Sequence, residues 1–399
     1  MKIPKKYQFI IELGKALHIY GIPSYQIQAY LSTVAKKQGI KGSFMDLPTW
    51  INYTFYEGEN SYNYVECIPP GNLNLGALSR IVEVTNKVID DNDDGFSLKE
   101  ELALIYAKTK KLNHFVLTLA YAFAAGAFSL MIGTNWISLL FSFLLGALVY
   151  FIIFLSTKSN YLENILESLV SFVITILASL IYLIFPDFNV GISILSAIII
   201  FIPGLAITTA LEEITSKSLV SGGAKLFDSL ISLFKQFFGV LLGISLMSNV
   251  IDFKPLTHIS DMPRWIMFCA IPVFSVTLLP IFQVRKKDML LGVLTGFSGF
   301  LLTVLFSSFG VLISTFIGTI SVVAISVLFS KITKSPKTVY LTQGIIMLVP
   351  GSKSFMGLSS SFLNSSIINT SNLFEQVAFI LMGIIGGLIF SGVFRIPKN

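Results

Sequence analysis

Charge is what this chain most lacks. Only 13% of its 399 residues are Asp, Glu, Lys or Arg, against 54% apolar residues and a mean hydropathy of +0.77. Ordinary globular domains carry roughly 25% charged residues, so an ordinary soluble enzyme and a disordered hub are both excluded. Cysteine is scarce too: Cys67 and Cys269 are the whole complement, which rules out a disulfide scaffold. The three histidines, His18, His114 and His258, form no Cys/His/carboxylate cluster with metal-ligand spacing. No GxxxxGK[ST] stretch is present, so ATP-driven pumping by this chain is not expected. The composition calls for no cofactor.

The shortage of charge is uneven. Residues 1–114 hold 13 basic and 12 acidic residues, leaving 15 and 10 for the other 285. We therefore expect a polar domain over 1–114 and a membrane domain after it. At the N-terminus, Glu12, Lys15 and His18 interrupt the apolar stretch, so it does not read as a cleavable signal peptide.

A hydrocarbon core about 30 Å thick needs roughly 20 apolar helical residues. Ten such stretches fit, near 115–133, 136–155, 165–186, 190–211, 225–248, 264–282, 289–309, 311–330, 338–358 and 374–394. Counted over alternate loops, eleven Lys/Arg fall on the side of the N-terminal domain and three on the other. That bias places both termini in the cytoplasm. It also accounts for the net charge of +6 without a nucleic-acid partner.

The membrane region repeats itself. IIIFIPG (198–204) matches IIMLVPG (345–351), and the same offset of 147 carries AKLFDSLI (224–231) onto SNLFEQVA (371–378). Asp228 then pairs with Glu375, and Gly239 with Gly386. Five spans per copy make the second copy enter the bilayer inverted, a recurrent plan of secondary transporters. The expected fold is an all-α polytopic membrane protein: ten helices as a 5+5 inverted repeat (115–248 and 249–399) behind a small α/β cytoplasmic domain. Small homo-oligomers are compatible with it.

Pro203-Gly204 and Pro350-Gly351 should break spans four and nine, and the freed backbone groups belong where they face a wet cavity. Thr208 and Thr209 follow the first break; Ser352, Lys353 and Ser354 follow the second. The half-helix N-termini suit a carboxylate. Two packing kinks are the plainer reading of the same residues. Charges within or beside the spans are costly, which singles out Glu213, Asp228, Lys235 and Glu375 for proton coupling or a charge pathway, although residues near span ends also snorkel to the interface. Lys235 looks deepest, in the middle of span five.

Two further motifs have structural readings. Asp90, Asn92, Asp94 and Glu101 satisfy a calcium-loop pattern, but Ser97 occupies its usual apolar position and a solvated acidic turn explains the run as well. Gly296-Phe297-Ser298-Gly299 resembles an intramembrane serine-protease motif, yet no histidine follows Ser298 to serve as base. Helix packing is the expected role.

The stretch IPGLAITTALEEITSKSLVSGGAKL (202–226) resembles the signature of the threonine/serine exporter family, which includes bacterial exporters and fungal membrane homologues. YGIPSYQIQAYLSTVAKKQG (20–39), IPPGNLNLGALSRI (68–81) and LVPGSKSFMGLSS (348–360) are similar to other parts of that family. The resemblance covers nearly the whole chain. It implies ten spans, a cytoplasmic N-terminal domain and export of small amino acids driven by the proton gradient. From the two breaks we expect Pro203, Gly204, Thr208, Thr209, Pro350, Gly351, Ser352 and Lys353 around the substrate. A bacterial inner membrane is the expected location. Two other readings stay open: a dicarboxylate exporter using Lys235 and Lys353, and a non-transporting sensor or scaffold.

Overall fold

The computed structural model describes residues 4–69, 71, 73–91, 102, 105, 113–253, 262, 263, 265–348 and 373–390. The N-terminal domain opens with α1 (Lys5–Ile19) and α2 (Ser24–Lys37), separated at Gly21-Ile22-Pro23. An antiparallel sheet follows in the order β1 (Lys41–Leu47), β2 (Trp50–Glu57), β3 (Asn60–Cys67). Its second hairpin turns at Gly58, whose φ of 60° suits a residue without Cβ. Alternating apolar residues over 49–56 and 61–68 predict β2 and β3, and β1 lies outside both stretches. Helix α3 (Leu75–Asp91) closes the domain over a core that includes Ile10, Leu17, Leu31, Tyr53 and Leu78. This core is continuous with the membrane region through Leu279, Val284 and Val339, so domain and bundle share buried apolar surface.

The helices that follow are α4 (His114–Ile132), α5 (Trp136–Ser156), the short α6 (Asn160–Asn164), α7 (Leu166–Ile184), α8 (Val190–Ala197), α9 (Gly204–Thr215) and α10 (Leu219–Met247). Then come α11 (Trp265–Ile281), α12 (Lys286–Leu305), α13 (Val311–Thr333), α14 (Lys337–Leu348) and α15 (Leu373–Phe390). Against the ten expected spans, six helices among the described residues are long and apolar enough to cross a membrane. The bent pair α8 and α9, with a 52° break, makes a seventh. The shortfall has local causes. Pro272 and Pro280 lie inside the 17-residue α11, α14 ends where the described residues stop, and α15 is a shorter apolar helix.

Packing between helices repeats in atomic detail. A Cβ on Gly239 of α10 would strike Ser168 O, Ser171 Cβ and Phe172 N of α7; one on Gly383 of α15 would strike Leu312 O, Thr315 Cβ and Phe316 N of α13. Gly243 meets Thr175 and Phe172, and Gly387 meets Thr319 and Phe316, in the same relation. Each pair is a Gly-xxx-Gly face that lets two helices approach closely. The shared offset is 144, from 239 to 383. The gap-free alignment at 147 therefore needs correcting for this part of the chain: it matches Gly239 to Gly386 and Asp228 to Glu375, three residues out of the packing register. Small residues at i and i+4 fix which face packs. Gly243→Val and Gly387→Val should each lower stability by about 1–3 kcal/mol through overpacking, measured as thermal unfolding in detergent.

Gly296 and Gly299 pack against Ser275, Gln343 and Val322, while Ser298 donates to the Leu294 carbonyl within its own helix. The serine motif is a packing face.

Candidate functional site

The break after α8 is built as Pro203 and Gly204 require. One 3-10 turn, Ile199–Phe201, leads to Pro203, and Gly204 begins α9. Gln236, fully buried on α10, donates its amide to the Phe201 carbonyl at 2.8 Å. A freed backbone acceptor in an apolar bundle thus finds a side-chain partner.

One turn further on, the walls of a cavity of about 230 Å³ begin. Leu205, Thr208, Thr209 and Glu212 of α9 form one side, Lys225 of α10 another, and Thr338 and Thr342 of α14 a third. Gly21, Pro23, Gln26, Gly71 and Leu73 of the N-terminal domain complete it. Both α9 threonines donate their hydroxyls to helix carbonyls, Thr208 to Gly204 and Thr209 to Ala206 at 3.0 Å, which leaves oxygen lone pairs for a solute. Pro203 and Gly204 shape the break without lining the cavity.

Glu213 sits beneath this cavity with no exposed surface. Its Oε1 accepts from the Ser24 backbone N–H at 2.8 Å and from the Lys225 ammonium. Oε2 has no partner among the described residues. The Ser24 hydroxyl donates to Asp46 at 2.6 Å and lies 2.6 Å from Ser221 Oγ. Asp46 in turn lies 2.7 Å from Nδ1 of His18. Nearby, Tyr25 donates to Glu212 at 2.6 Å, and Thr338 lies 3.4 Å from Gln26. The first turn of α2 is thereby fastened to α9, α10 and α14 through side chains that are mostly buried.

A second acid fastens the other end of the domain. Asp288 of α12, fully buried, accepts from Tyr340 at 2.6 Å, Ser335 at 2.8 Å and Ser79 of α3 at 3.4 Å. Gly76 lies so close to the Gln283 carbonyl that a Cβ there would collide with it. At the rim, Glu83 pairs with Arg285 at 2.7 Å and Lys287 at 2.6 Å. Burial pushes the Glu83 carboxyl up, but the hydrogen bonds from Lys287 and Arg285 outweigh it and hold the carboxyl below its ordinary value. A depressed folded value means this contact stabilises fully above the unfolded pKa and is lost as pH falls through the folded one. Protease protection of the docked domain should thus weaken below about pH 4.5. Glu83→Gln should flatten that dependence.

The other expected residues are not brought to the cavity. Asp228 is exposed one turn beyond Lys225. Lys235 faces Glu167 at 3.7 Å, beside the start of α7, so it lies near a helix end and not at mid-span. The 29-residue length of α10 explains the difference, because it overhangs its neighbour. Glu375 is exposed in the first turn of α15, whereas the cavity touches Leu388, about 20 Å further along that helix. Pro350, Gly351, Ser352, Ser354 and Lys353 lie outside the described residues. So do Asn92, Asp94, Glu101 and the side chain of Asp90. Sequence reasoning missed Lys225, counted only as a loop charge, and Thr338, Thr342, Asp46 and Asp288. The signal for Lys225 was its place twelve residues after Glu213 within one signature stretch.

Two family models match the chain. The threonine/serine exporter model covers residues 8–247, and a second, described as Threonine/Serine exporter, ThrE, covers 266–394. The chain belongs to the threonine/serine exporter family. Both models describe exporters, and six helices among the described residues are long and apolar enough to cross a membrane. Its similar relatives include Pheromone-regulated membrane protein 10 of Eremothecium gossypii, 24% identical over 92% of this chain and 51% of the relative. The proteins of that name from Saccharomyces cerevisiae and Kluyveromyces lactis are 24% and 26% identical, each over 75% of this chain and over 40% and 32% of their own length. The chain thus spans about half or less of these relatives. All three are yeast membrane proteins and lend no support to a bacterial inner membrane. No solved structure matches the chain.

Proposed function

We propose that this exporter moves threonine or serine by alternating access, with the cavity beside α9 as its substrate chamber and the N-terminal domain as its cytoplasmic closure. The observation that carries this reading is the chamber's wall: four threonine hydroxyls, one carboxylate and one ammonium around about 230 Å³. Sites for drug-sized ligands run from about 300 Å³ upward, so the chamber suits a smaller solute. Its mixed charge suits a zwitterion: Lys225 and the first turn of α9 for the carboxylate, Glu212 for the ammonium, and the threonines for a side-chain hydroxyl. Two cations would serve a dicarboxylate better, and among the described residues only Lys225 lines the wall. Glu213, buried beside Lys225, carries the coupling proton. The repeated Gly-xxx-Gly contacts support a 5+5 inverted plan, and the basic excess in the loops supports cytoplasmic termini.

Reconstituted protein should show counterflow of labelled threonine and serine, but not of succinate, stimulated by an imposed pH gradient. Thr208→Val combined with Thr342→Val should raise the half-saturating threonine concentration about tenfold or more, the loss of hydrogen bonds worth about 1 kcal/mol each. Absence of any flux would sink transport and favour a sensor. Unchanged flux in the double variant would move the site elsewhere.

A further inference from the structure

A second cavity lies apart from the chamber. It is a groove of about 910 Å³ between α4 and α11, opening on the outside of the bundle at the end nearest the N-terminal domain. Its long wall is apolar: Val116, Leu119 and Phe123 from the first turns of α4 face Val273 and Val276 of α11. These five side chains are between 36% and 50% exposed. Over about 10 Å of helix they offer hydrocarbon and nothing polar to a neighbour.

The end of the groove is different. Arg80 of α3, Arg285 and Lys286 line it, and among the described residues no carboxylate does. Arg285 is engaged by Glu83. Arg80 and Lys286 have no ion-pair partner among the described residues. Burial, and then the neighbouring Arg285 charge, pull the Arg80 guanidinium below its ordinary value, so the cluster has unmet demand for an anion. Cations gathered at one end of a lipid-facing apolar groove match the two parts of an anionic lipid.

We propose that this groove is a binding site for an anionic phospholipid, its phosphate held by Arg80 and Lys286 and an acyl chain laid against Leu119, Phe123 and Val276. The site lies in the leaflet on the side of the N-terminal domain. It joins α3 of the domain, α4 of the first half and the α11–α12 corner of the second. A bound lipid would therefore strengthen the attachment of domain to bundle from outside the transport chamber.

Native mass spectrometry of the full chain in detergent tests this with phosphatidylglycerol, phosphatidylcholine of the same acyl chains, and glycerol 3-phosphate. Phosphatidylglycerol should be retained about tenfold or more tightly than phosphatidylcholine, and glycerol 3-phosphate should not compete. Arg80→Gln with Lys286→Gln should weaken phosphatidylglycerol about thirtyfold, from roughly 1 kcal/mol per cation, and phosphatidylcholine, whose choline offsets its phosphate charge, by much less. Leu119→Trp, which fills the groove without touching charge, should weaken both lipids. Equal retention of the two lipids would overturn the proposal. So would undiminished phosphatidylglycerol binding in the double variant, effective competition by glycerol 3-phosphate, or a lipid-free dimer closed over Leu119 and Phe123.

Discussion

Glu213→Gln is expected to abolish pH-driven threonine export while leaving threonine counterflow within a few-fold of the unaltered protein. Glutamine fills the same space and still offers an oxygen to the Ser24 N–H at 2.8 Å. What it removes is the negative charge facing Lys225 and the capacity to take up a proton. Losing one partner of a buried ion pair costs about 3–5 kcal/mol. Lys225 is 31% exposed along its side chain and can recover part of that from water. A reduction of gradient-driven flux by about a hundredfold, equivalent to roughly 2.7 kcal/mol, is therefore the scale to expect. Exchange of labelled for unlabelled substrate needs no net proton movement and should persist. If gradient-driven export survives in Glu213→Gln, the coupling proton travels elsewhere. If both modes vanish from a folded protein, Glu213 belongs to substrate binding.

Lys225→Met provides the complementary measurement. It should leave Glu213 buried without its cation and with only the Ser24 N–H for company, so folding as well as flux should suffer. Combining the two changes should recover part of the stability, because the double variant buries no lone charge. Thermal unfolding of the four proteins in detergent gives that coupling directly.

Much of this site can be read from the sequence because broken helices leave local marks. Pro203-Gly204 announces the break, and Thr208, Thr209 and Glu213 follow at spacings of one helical turn. The rest depends on pairs that only the fold creates. Ser24 and Glu213 are 189 positions apart, and Ser79 and Asp288 are 209 apart. No periodicity within either segment encodes such a contact. Lys235 misleads for a related reason: a lysine in the middle of an apolar run looks membrane-centred, but α10 overhangs α7, where Glu167 meets it. The strand β1 escapes because Lys41-Gly42-Ser43 dilutes its alternation, and only pairing with β2 from Lys41↔Tyr56 to Leu47↔Trp50 makes it a strand. The repeat was visible as a repeat, and its register was set by glycines whose partners lie on other helices.

Asp288 and Asp228 lie 60 positions apart, and the fold gives them opposite consequences. Asp288 sits at the foot of α12 with no exposed surface, and three hydroxyls converge on it, from Tyr340, Ser335 and Ser79. Each is a donor to a charged acceptor, worth about 1.5–3 kcal/mol. Leucine there would take the carboxylate away from Tyr340 and Ser335 inside a packed junction, leaving them only Thr333 at 2.7 Å and Ser79 at 3.2 Å. Asparagine would offer one oxygen and two N–H donors where only acceptance is wanted. Asp288→Leu should therefore cost about 4 kcal/mol and Asp288→Asn about 2–3 kcal/mol, read as thermal unfolding in detergent. Because Ser79 belongs to the N-terminal domain, limited proteolysis should also release that domain before the bundle itself unfolds. Asp228 is exposed on α10, and Asp228→Asn should stay within about 0.5 kcal/mol of the unaltered protein. Equal effects at the two sites would mean that the Asp288 cluster does not hold domain to bundle. A loss confined to Asp288, with the domain cut free first, would establish it as the attachment in the second half that Glu213 provides in the first.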